Sequence, residues 1–199
     1  MSEPTIETWT AGQMTEEQFR AGCVLHHAAF PKPGRTIEGV IAKKRPVWMG
    51  EAGAGVVPGP LVSATPPVRY VIRGEDGALV ANAAILTRTI STEQGELTVS
   101  GLLDVATCPS VRGQGLGAKI VQAAWASVDD GTHPLCLFET GEARPFYEKL
   151  GARVVDNPII DSTHPTGSRD NPFEDTWVMI YPARASWPEG EIDLRGPGY

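Results

Sequence analysis

The chain has 199 residues, of which 41% are hydrophobic and 21% are charged. This is enough to bury the core of one globular domain and short for two, so we expect a single domain over residues 1–199. The formal net charge is −7 and the pI is near 5.1, which argues against a nucleic-acid-binding protein and fits a cationic small substrate.

The compartment is inferred from the cysteines and the amino terminus. Cys23, Cys108 and Cys136 are odd in number and widely spaced, which favours neither a disulfide framework nor a zinc site. The stretch "MSEPTIETWTAG" lacks the basic region and apolar core of a signal peptide, and no segment approaches the ~20 apolar residues of a membrane span. We therefore expect a cytoplasmic protein that does not act at a membrane.

The first predicted element is a helix from Thr15 to Phe30, with Thr15 as its N-cap and an apolar stripe along one side. His26 and His27 lie on this helix without metal-ligand spacing, so they indicate a half-buried face rather than a metal site. The chain from Pro31 to Pro67 is predicted to be irregular, because "GEAGAGVVPGPLVSATPP" is rich in glycine and proline. It is either a flap over a site or an unstructured insertion.

Strand patterns follow. The runs "VRYVIRG" and "ALVANAAILTRTI" flank a turn and predict an antiparallel hairpin, and "ELTVSGLLDVAT" predicts a third strand. After Pro109 the period changes, and a glycine loop leads into a helix that begins near Leu116. Further on, "LCLFET", "ARVV" and "EDTWVMIYP" predict strands, "EARPFYEKL" predicts a short helix closed by Gly151, and residues 183–199 predict an ordered tail.

The glycine loop "VRGQGLGAKI" has the composition of a phosphate-binding loop, because glycine lets a phosphate approach the backbone N–H groups at the positive end of a helix. A Walker loop is excluded by the position of Lys119. A dinucleotide-binding loop is excluded because the glycines come late, after an antiparallel meander. The remaining pattern is Arg-x-x-Gly-x-Gly, met by Arg112, Gly115 and Gly117.

Two stretches, "DVATCPSVRGQGLGAKIVQAAW" and "LFETGEARPFYEKLGARVV", resemble the GNAT superfamily of N-acetyltransferases over roughly Val68 to Pro182. The resemblance implies an α/β (α+β) fold, with a mixed, twisted sheet of about six to seven strands flanked by about four helices. In that fold the fourth and fifth strands are parallel and splay apart around the thioester. It also implies acetyl-CoA as co-substrate and no metal.

The resemblance assigns the donor site to consecutive residues. Backbone groups of Val105, Ala106 and Thr107 would bind the pantetheine arm, and one N–H near Val105 or Ala106 would hold the oxyanion. The backbone N–H groups of the loop would hold the pyrophosphate; its residues are Arg112, Gly113, Gln114, Gly115, Leu116, Gly117 and Ala118. The chain departs from the family pattern in "TGEARP", where an asparagine that contacts pantetheine is missing.

Three residues are candidate catalytic groups. Tyr147 occupies the position where the family commonly has a tyrosine near the CoA sulfur, so it is the candidate general acid; the alternative is packing. Asp104 and Glu139 interrupt apolar strands and are candidate bases, because a buried carboxylate costs energy unless it is paired or used. Two nearby carboxylates could attract an amine and raise each other's pKa, whereas a structural aspartate at a bulge is the alternative for Asp104.

The carboxyl-terminal stretch "EDTWVMIYPARASWPEGEIDLRGPGY" resembles that of the nodulation-factor N-acyltransferases and the aminoglycoside 2'-N-acetyltransferases. In those relatives this region helps to form the acceptor pocket. Trp177, Trp187 and Tyr199 are therefore candidate acceptor contacts, and packing of the tail is the alternative.

The sequence thus predicts acetyl transfer to a primary amine of a small molecule, directly in a ternary complex. A longer-chain N-acyltransferase that uses an acyl carrier protein or acyl-CoA is one alternative. A non-catalytic CoA-binding sensor is the other. The acceptor stays undetermined, and a homodimer is left open because dimers are frequent in the family.

Overall fold

The sheet and its helices are described for residues 4–49 and 65–199 of a computed structural model. Its strands are β1 (Ile6–Thr10), β2 (Val68–Arg73), β3 (Leu79–Thr92), β4 (Gly95–Thr107), β5 (Cys136–Thr140), β6 (Arg153–Val154), β7 (Ile159–Ile160), β8 (Trp177–Tyr181) and β9 (Ile192–Asp193). Its helices are α1 (Glu16–Ala29), α2 (Ile37–Trp48), α3 (Leu116–Ala124), α4 (Ala126–Asp129) and α5 (Arg144–Lys149). The mixed α/β class is confirmed. The described strands outnumber the prediction because β1, β7 and β9 were not predicted; β7 and β9 have only two residues each.

The chain divides into two compact units. Of the described residues, the first comprises 4–49, 66–85 and 103–124, and the second comprises Thr65, 86–102 and 125–199. The long strands β3 and β4 each contribute residues to both units. Among the described residues, no helix is long and apolar enough to cross a membrane.

The first unit is built on antiparallel pairing of β1 with β2 and of β2 with β3. Strand β1 lies in the amino-terminal stretch for which no strand was predicted. Helices α1 and α2 bury their apolar sides in a core that includes Trp9, Phe19, Val40 and Trp48. The N-cap prediction is confirmed: the Thr15 hydroxyl accepts from the N–H of Gln18, and the Gln18 side chain accepts from the N–H of Thr15 in return.

Helix α2 corrects the prediction that residues 31–67 are irregular. Thr36 caps it by accepting a hydrogen bond from the N–H of Gly39 at 3.1 Å, and Pro46 is accommodated near its end. The glycine and proline content of the following segment obscured this helix, because it dominated the composition of the whole stretch. Residues 50–64, which carry most of "GEAGAGVVPGPLVSATPP", lie outside the described residues.

The second unit contains the predicted parallel pair. Strand β4 pairs with β5 through Ser100 with Cys136 and Gly101 with Leu137, and both strands continue beyond this short ladder. Strand β5 pairs along its whole length with antiparallel β8, which also pairs with β6. Strand β9, in the tail, pairs with β3 and β7. Their apolar side chains form a core around Ile90, Leu137 and Ile180.

Candidate active site

The glycine loop of the first unit forms an open turn before α3. Gly113 and Gly115 have φ values of +82° and +80°, a region that favours glycine. No atom of the described residues lies within 4 Å of a Cβ added at either position, so both positions are open. In the described part of the chain, the backbone N–H groups from Gly113 to Ala118 find no acceptor. The loop therefore offers unpaired donors at a helix N-terminus, which is how proteins hold phosphate.

Arg112 fixes one end of this loop. Its guanidinium donates a hydrogen bond of 2.9 Å to the carbonyl of Ala29, the last residue of α1. The N–H of Cys108, just upstream, donates to the carbonyl of Val80 in β3 at 2.8 Å. The Arg112 side chain thus anchors the loop to α1. The groups at this end of the loop that can bind phosphate are the backbone N–H groups of the residues that follow Arg112.

The end of β4 is distorted at Asp104, which has a φ of +54° although it is not a glycine. Its main-chain carbonyl accepts a hydrogen bond from the amide of Asn82. The distortion breaks the alternation of buried and exposed positions, and Asp104 and Val105 are both half-buried. Val105, Ala106 and Thr107, the residues expected to bind pantetheine, form the last segment of the strand directly after it.

Asp104 lies in a cluster of cations. One carboxylate oxygen accepts from the Lys44 ammonium, and the other accepts from the Arg69 guanidinium at 2.9 Å. Burial would raise the pKa of Asp104, but the charges of Lys44 and Arg69 outweigh it and hold the pKa well below its usual range. This direction is opposite to that expected for one of two carboxylates that raise each other's pKa.

Arg69 joins three elements at the centre of this cluster. Its side chain is 2% exposed, and its guanidinium carbon lies 4.1 Å from the centroid of the Trp48 ring in α2. Any side chain at Gly22 in α1 would overlap the guanidinium. The guanidinium therefore needs this glycine, and it connects β2 with α1, α2 and β4.

The sequence did not identify Lys44, Arg69 or His26 as site residues. His26 Nδ1 lies 3.9 Å from the carboxylate of Asp104. Lys44 belongs to the short basic run Lys43-Lys44-Arg45, and Arg69 is an arginine within an otherwise apolar strand. Those were the available signals, but the partners lie far apart in the chain and only the fold brings them together.

Tyr147 of the second unit lies in an aromatic cluster. Its ring centroid is 4.8 Å from that of Phe138, 5.0 Å from that of Phe146 and 6.3 Å from that of Trp125. Burial raises the pKa of the phenol, so Tyr147 is protonated at any working pH. Its hydroxyl has no hydrogen-bond partner among the described residues, which leaves its proton available to a ligand.

Glu139 has a different environment. One of its carboxylate oxygens accepts a hydrogen bond of 2.5 Å from the N–H of Asp175, and burial raises the pKa of this carboxyl. Glu139 follows Phe138 in β5, so the two side chains point to opposite faces of the strand. Tyr147 packs on the Phe138 face, and Glu139 and Tyr147 therefore lie on opposite sides of β5.

The three aromatic candidates are all engaged with neighbouring protein groups. The Arg144 guanidinium lies 4.4 Å from the centroid of Trp177, and the indole of Trp187 donates to Asn157 at 2.5 Å. The Tyr199 hydroxyl donates to the carbonyl of Leu137 at 2.7 Å. These contacts agree with the packing alternative, and all three side chains are half-buried.

The Tyr199 ring covers the place where the β4–β5 ladder ends. A Cβ at Gly101 would lie 2.6 Å from two of its ring carbons, so only glycine leaves room for it. Among the described residues, no group of three or more His, Cys, Asp or Glu side chains could hold a metal ion.

The family model described as "Acetyltransferase (GNAT) domain" matches residues 13–155. This match covers most of the chain and includes the glycine loop, the distorted end of β4 and Tyr147. The chain therefore belongs to the GNAT acetyltransferase family.

Relatives agree with this assignment. The chain is 35% identical over 79 residues to the glucosamine 6-phosphate N-acetyltransferase of Trypanosoma brucei brucei, a match that spans 39% of this chain and about half, 53%, of that relative. The fold of this chain is similar to that of the GNAT protein YhbS from Escherichia coli, which was solved with CoA. The TM-score is 0.58 and the identity is 13%, over 96% of this chain and 89% of that one. A GNAT acetyltransferase from Brucella melitensis, solved with acetyl-CoA, gives a TM-score of 0.54 at 14% identity over 95% of both chains.

Proposed function

We propose that this chain is an acetyl-CoA-dependent N-acetyltransferase that acts on a primary amine of a small molecule. The observation that carries the proposal is the glycine loop before α3: among the described residues its N–H groups from Gly113 to Ala118 donate no hydrogen bond, and a Cβ at Gly113 or Gly115 would meet no neighbouring atom. These donors fit the pyrophosphate of CoA, and the solved CoA and acetyl-CoA complexes of similar folds support the same ligand.

The remaining roles follow the motif. Backbone groups of Val105 to Thr107 bind the pantetheine arm, and an N–H near Val105 or Ala106 stabilises the oxyanion formed when the amine attacks. Tyr147 donates a proton to the departing thiolate, and its protonated, unpaired hydroxyl supports this role. The carboxylate of Glu139 accepts a hydrogen bond from the N–H of Asp175, so Glu139 is less suited to accept a proton from the amine.

A phosphorylated amino sugar is the acceptor that we propose to test first. The relative named for glucosamine 6-phosphate supports this choice. So does the charge of the first helices, because six basic and only three acidic residues lie between Thr15 and Met49 of a chain whose net charge is −7. A locally positive region would attract an acceptor that carries a phosphate as well as its amine.

The donor half is tested by calorimetry with acetyl-CoA. We expect Gly115→Glu to abolish binding, because it places a charge and a strained side chain where the pyrophosphate would lie. The matched control is Gly131→Glu, since Gly131 also has a positive φ, +82°, and open space but lies outside the loop. Micromolar affinity in the Gly115→Glu protein would contradict the loop assignment.

The acceptor half is tested by a thiol-release assay with acetyl-CoA. Glucosamine 6-phosphate and glucosamine form the central pair, and aminoglycosides, polyamines, amino acids and peptides complete the screen. A preference for the phosphorylated sugar supports the proposed acceptor. Release only with longer acyl donors would favour the acyl-carrier alternative, and acetyl-CoA binding without turnover would favour a sensor.

We also propose a cytoplasmic location. All three cysteines are free in the structure, and two of them are buried. Free thiols suit a reducing compartment. Fractionation of the source cells tests the location. A homodimer is tested by sedimentation of the purified chain.

A further inference from the structure

His26 is the titratable group of the Asp104 cluster that the motif-based mechanism does not use. Its side chain is 20% exposed, and Nδ1 is buried without a hydrogen-bond partner, 3.9 Å from Asp104 Oδ1. Nε2 has no hydrogen-bond partner among the described residues and is not one of the buried atoms without a partner, so it lies at the exposed edge of the ring. A histidine with one nitrogen turned to a carboxylate and the other accessible has the arrangement of a general base.

We infer that His26 accepts the proton of the acceptor amine, and that Asp104 orients its ring. This inference rests on the proposed function and assigns a base that the motifs leave open. Asp104 directly precedes Val105 and Ala106, the proposed oxyanion donors. The His26 ring contacts Asp104 and is therefore close to these donors. The two strand carboxylates are less suited, because Asp104 is committed to Lys44 and Arg69 and Glu139 holds the N–H of Asp175.

The charges around His26 determine its protonation. Lys44 from α2, Arg69 from β2 and Arg35 from the α1–α2 connection oppose a proton on the ring, whereas Asp104 from β4 favours one. Burial is the largest effect, and together these groups lower the pKa of His26 to about 4. The ring is therefore neutral at pH 7 and can accept a proton.

The carboxylate selects the tautomer. Because Asp104 is ionised and its Oδ1 lies 3.9 Å from Nδ1, a hydrogen on Nδ1 is favoured electrostatically. Nε2 then keeps its lone pair at the exposed edge. Asp104 is in this account a positioning residue.

The proton balance is as follows. The amine nitrogen forms a bond to the thioester carbonyl carbon, and the C–S bond breaks. The attacking nitrogen becomes strongly acidic as its bond forms, so a weak base suffices to take its proton at Nε2. Tyr147 protonates the thiolate; afterwards His26 releases its proton to solvent and the Tyr147 phenolate takes one from solvent, so the protons balance.

The kinetic test compares His26→Gln with His27→Gln, a neighbouring histidine of the same helix. We expect His26→Gln to lower kcat by about 10²- to 10⁴-fold while the affinity for acetyl-CoA and the thermal unfolding midpoint stay within error. The His27→Gln protein should keep the wild-type rate. If the wild type acetylates an amine and His26→Gln is as fast, the inference is wrong while the proposed function stands.

A second measurement needs no acceptor. Nitrogen-15 NMR of the histidine rings should show His26 neutral from pH 8 to pH 5.5, with its hydrogen on Nδ1, and Asp104→Asn should weaken that preference. A hydrogen on Nε2 in the wild type, or the same tautomer preference in Asp104→Asn as in the wild type, would overturn the inference whether or not an acceptor has been found.

Discussion

At the scale of single residues, the hydroxyl of Tyr147 can be separated from its ring. Tyr147→Phe keeps the contacts with Phe138 and Trp125 but removes the proton donor. We therefore expect kcat for acetyl transfer to fall by about 10- to 10⁴-fold with little change in stability. Steady-state kinetics with a saturating acceptor measures this effect.

The control for Tyr147→Phe is Tyr181→Phe in the same cluster. Tyr181 stacks on Trp125 at 3.8 Å, and its hydroxyl donates to Asp129 rather than remaining unpaired. This variant should lose some stability and keep its rate. Equal rates for Tyr147→Phe and the wild type would remove Tyr147 from the mechanism and leave it a packing role.

At the scale of elements, Arg69 ties α1, α2 and β4 to β2. Arg69→Met leaves the Asp104 carboxylate buried with one cation fewer, so we expect the free energy of unfolding to fall by about 3–5 kcal/mol. Arg73→Met is the matched control on the same strand, because the ion pair of Arg73 with Glu7 is solvent-exposed and contributes about 0–1 kcal/mol. Urea denaturation compares the two variants, and equal losses would show that Arg69 is not the link between these elements.

The same elements show what could be predicted from the sequence. The glycine loop and α5 follow from local signals, because spacing and helix periodicity are carried by neighbouring residues. Helix α2 was missed, since it is followed by a segment whose glycines and prolines dominate the composition of the stretch from Pro31 to Pro67. The Asp104 cluster was missed for another reason: Lys44 lies 60 residues from Asp104 in the chain and Arg69 lies 35 residues from it, and no local pattern reports such a pairing.

At the scale of the whole molecule, charge is unevenly distributed along the chain. The net charge of −7 suggested a cationic substrate, whereas the segment that contains α1 and α2 carries an excess of basic residues. Two of those bases act on the Asp104 cluster: Lys44 and Arg35 lower the pKa of His26, and Lys44 also lowers that of Asp104. Local charge is therefore the better guide to the acceptor, and it also makes stability depend on pH.

The dependence on pH follows from His26. Its pKa is 6.5 in the unfolded chain and about 4 in the folded protein, so between these values the unfolded state binds the extra proton. Lowering the pH from 6.5 to 4 therefore destabilises the fold through His26. Glu139 acts in the opposite direction, because its pKa is raised in the folded protein.

Comparison of the wild type with His26→Gln isolates the contribution of His26, since Glu139 is common to both proteins. As the pH is lowered from 7 to 4, the urea midpoint of the wild type should fall relative to that of the variant, and the difference should stop changing below pH 4. A difference that is constant across this range would show that His26 has the same pKa folded and unfolded. The burial of His26 beside Lys44 thus has two effects. It keeps the ring neutral at pH 7, as a proton acceptor requires, and it makes the fold less stable in acid.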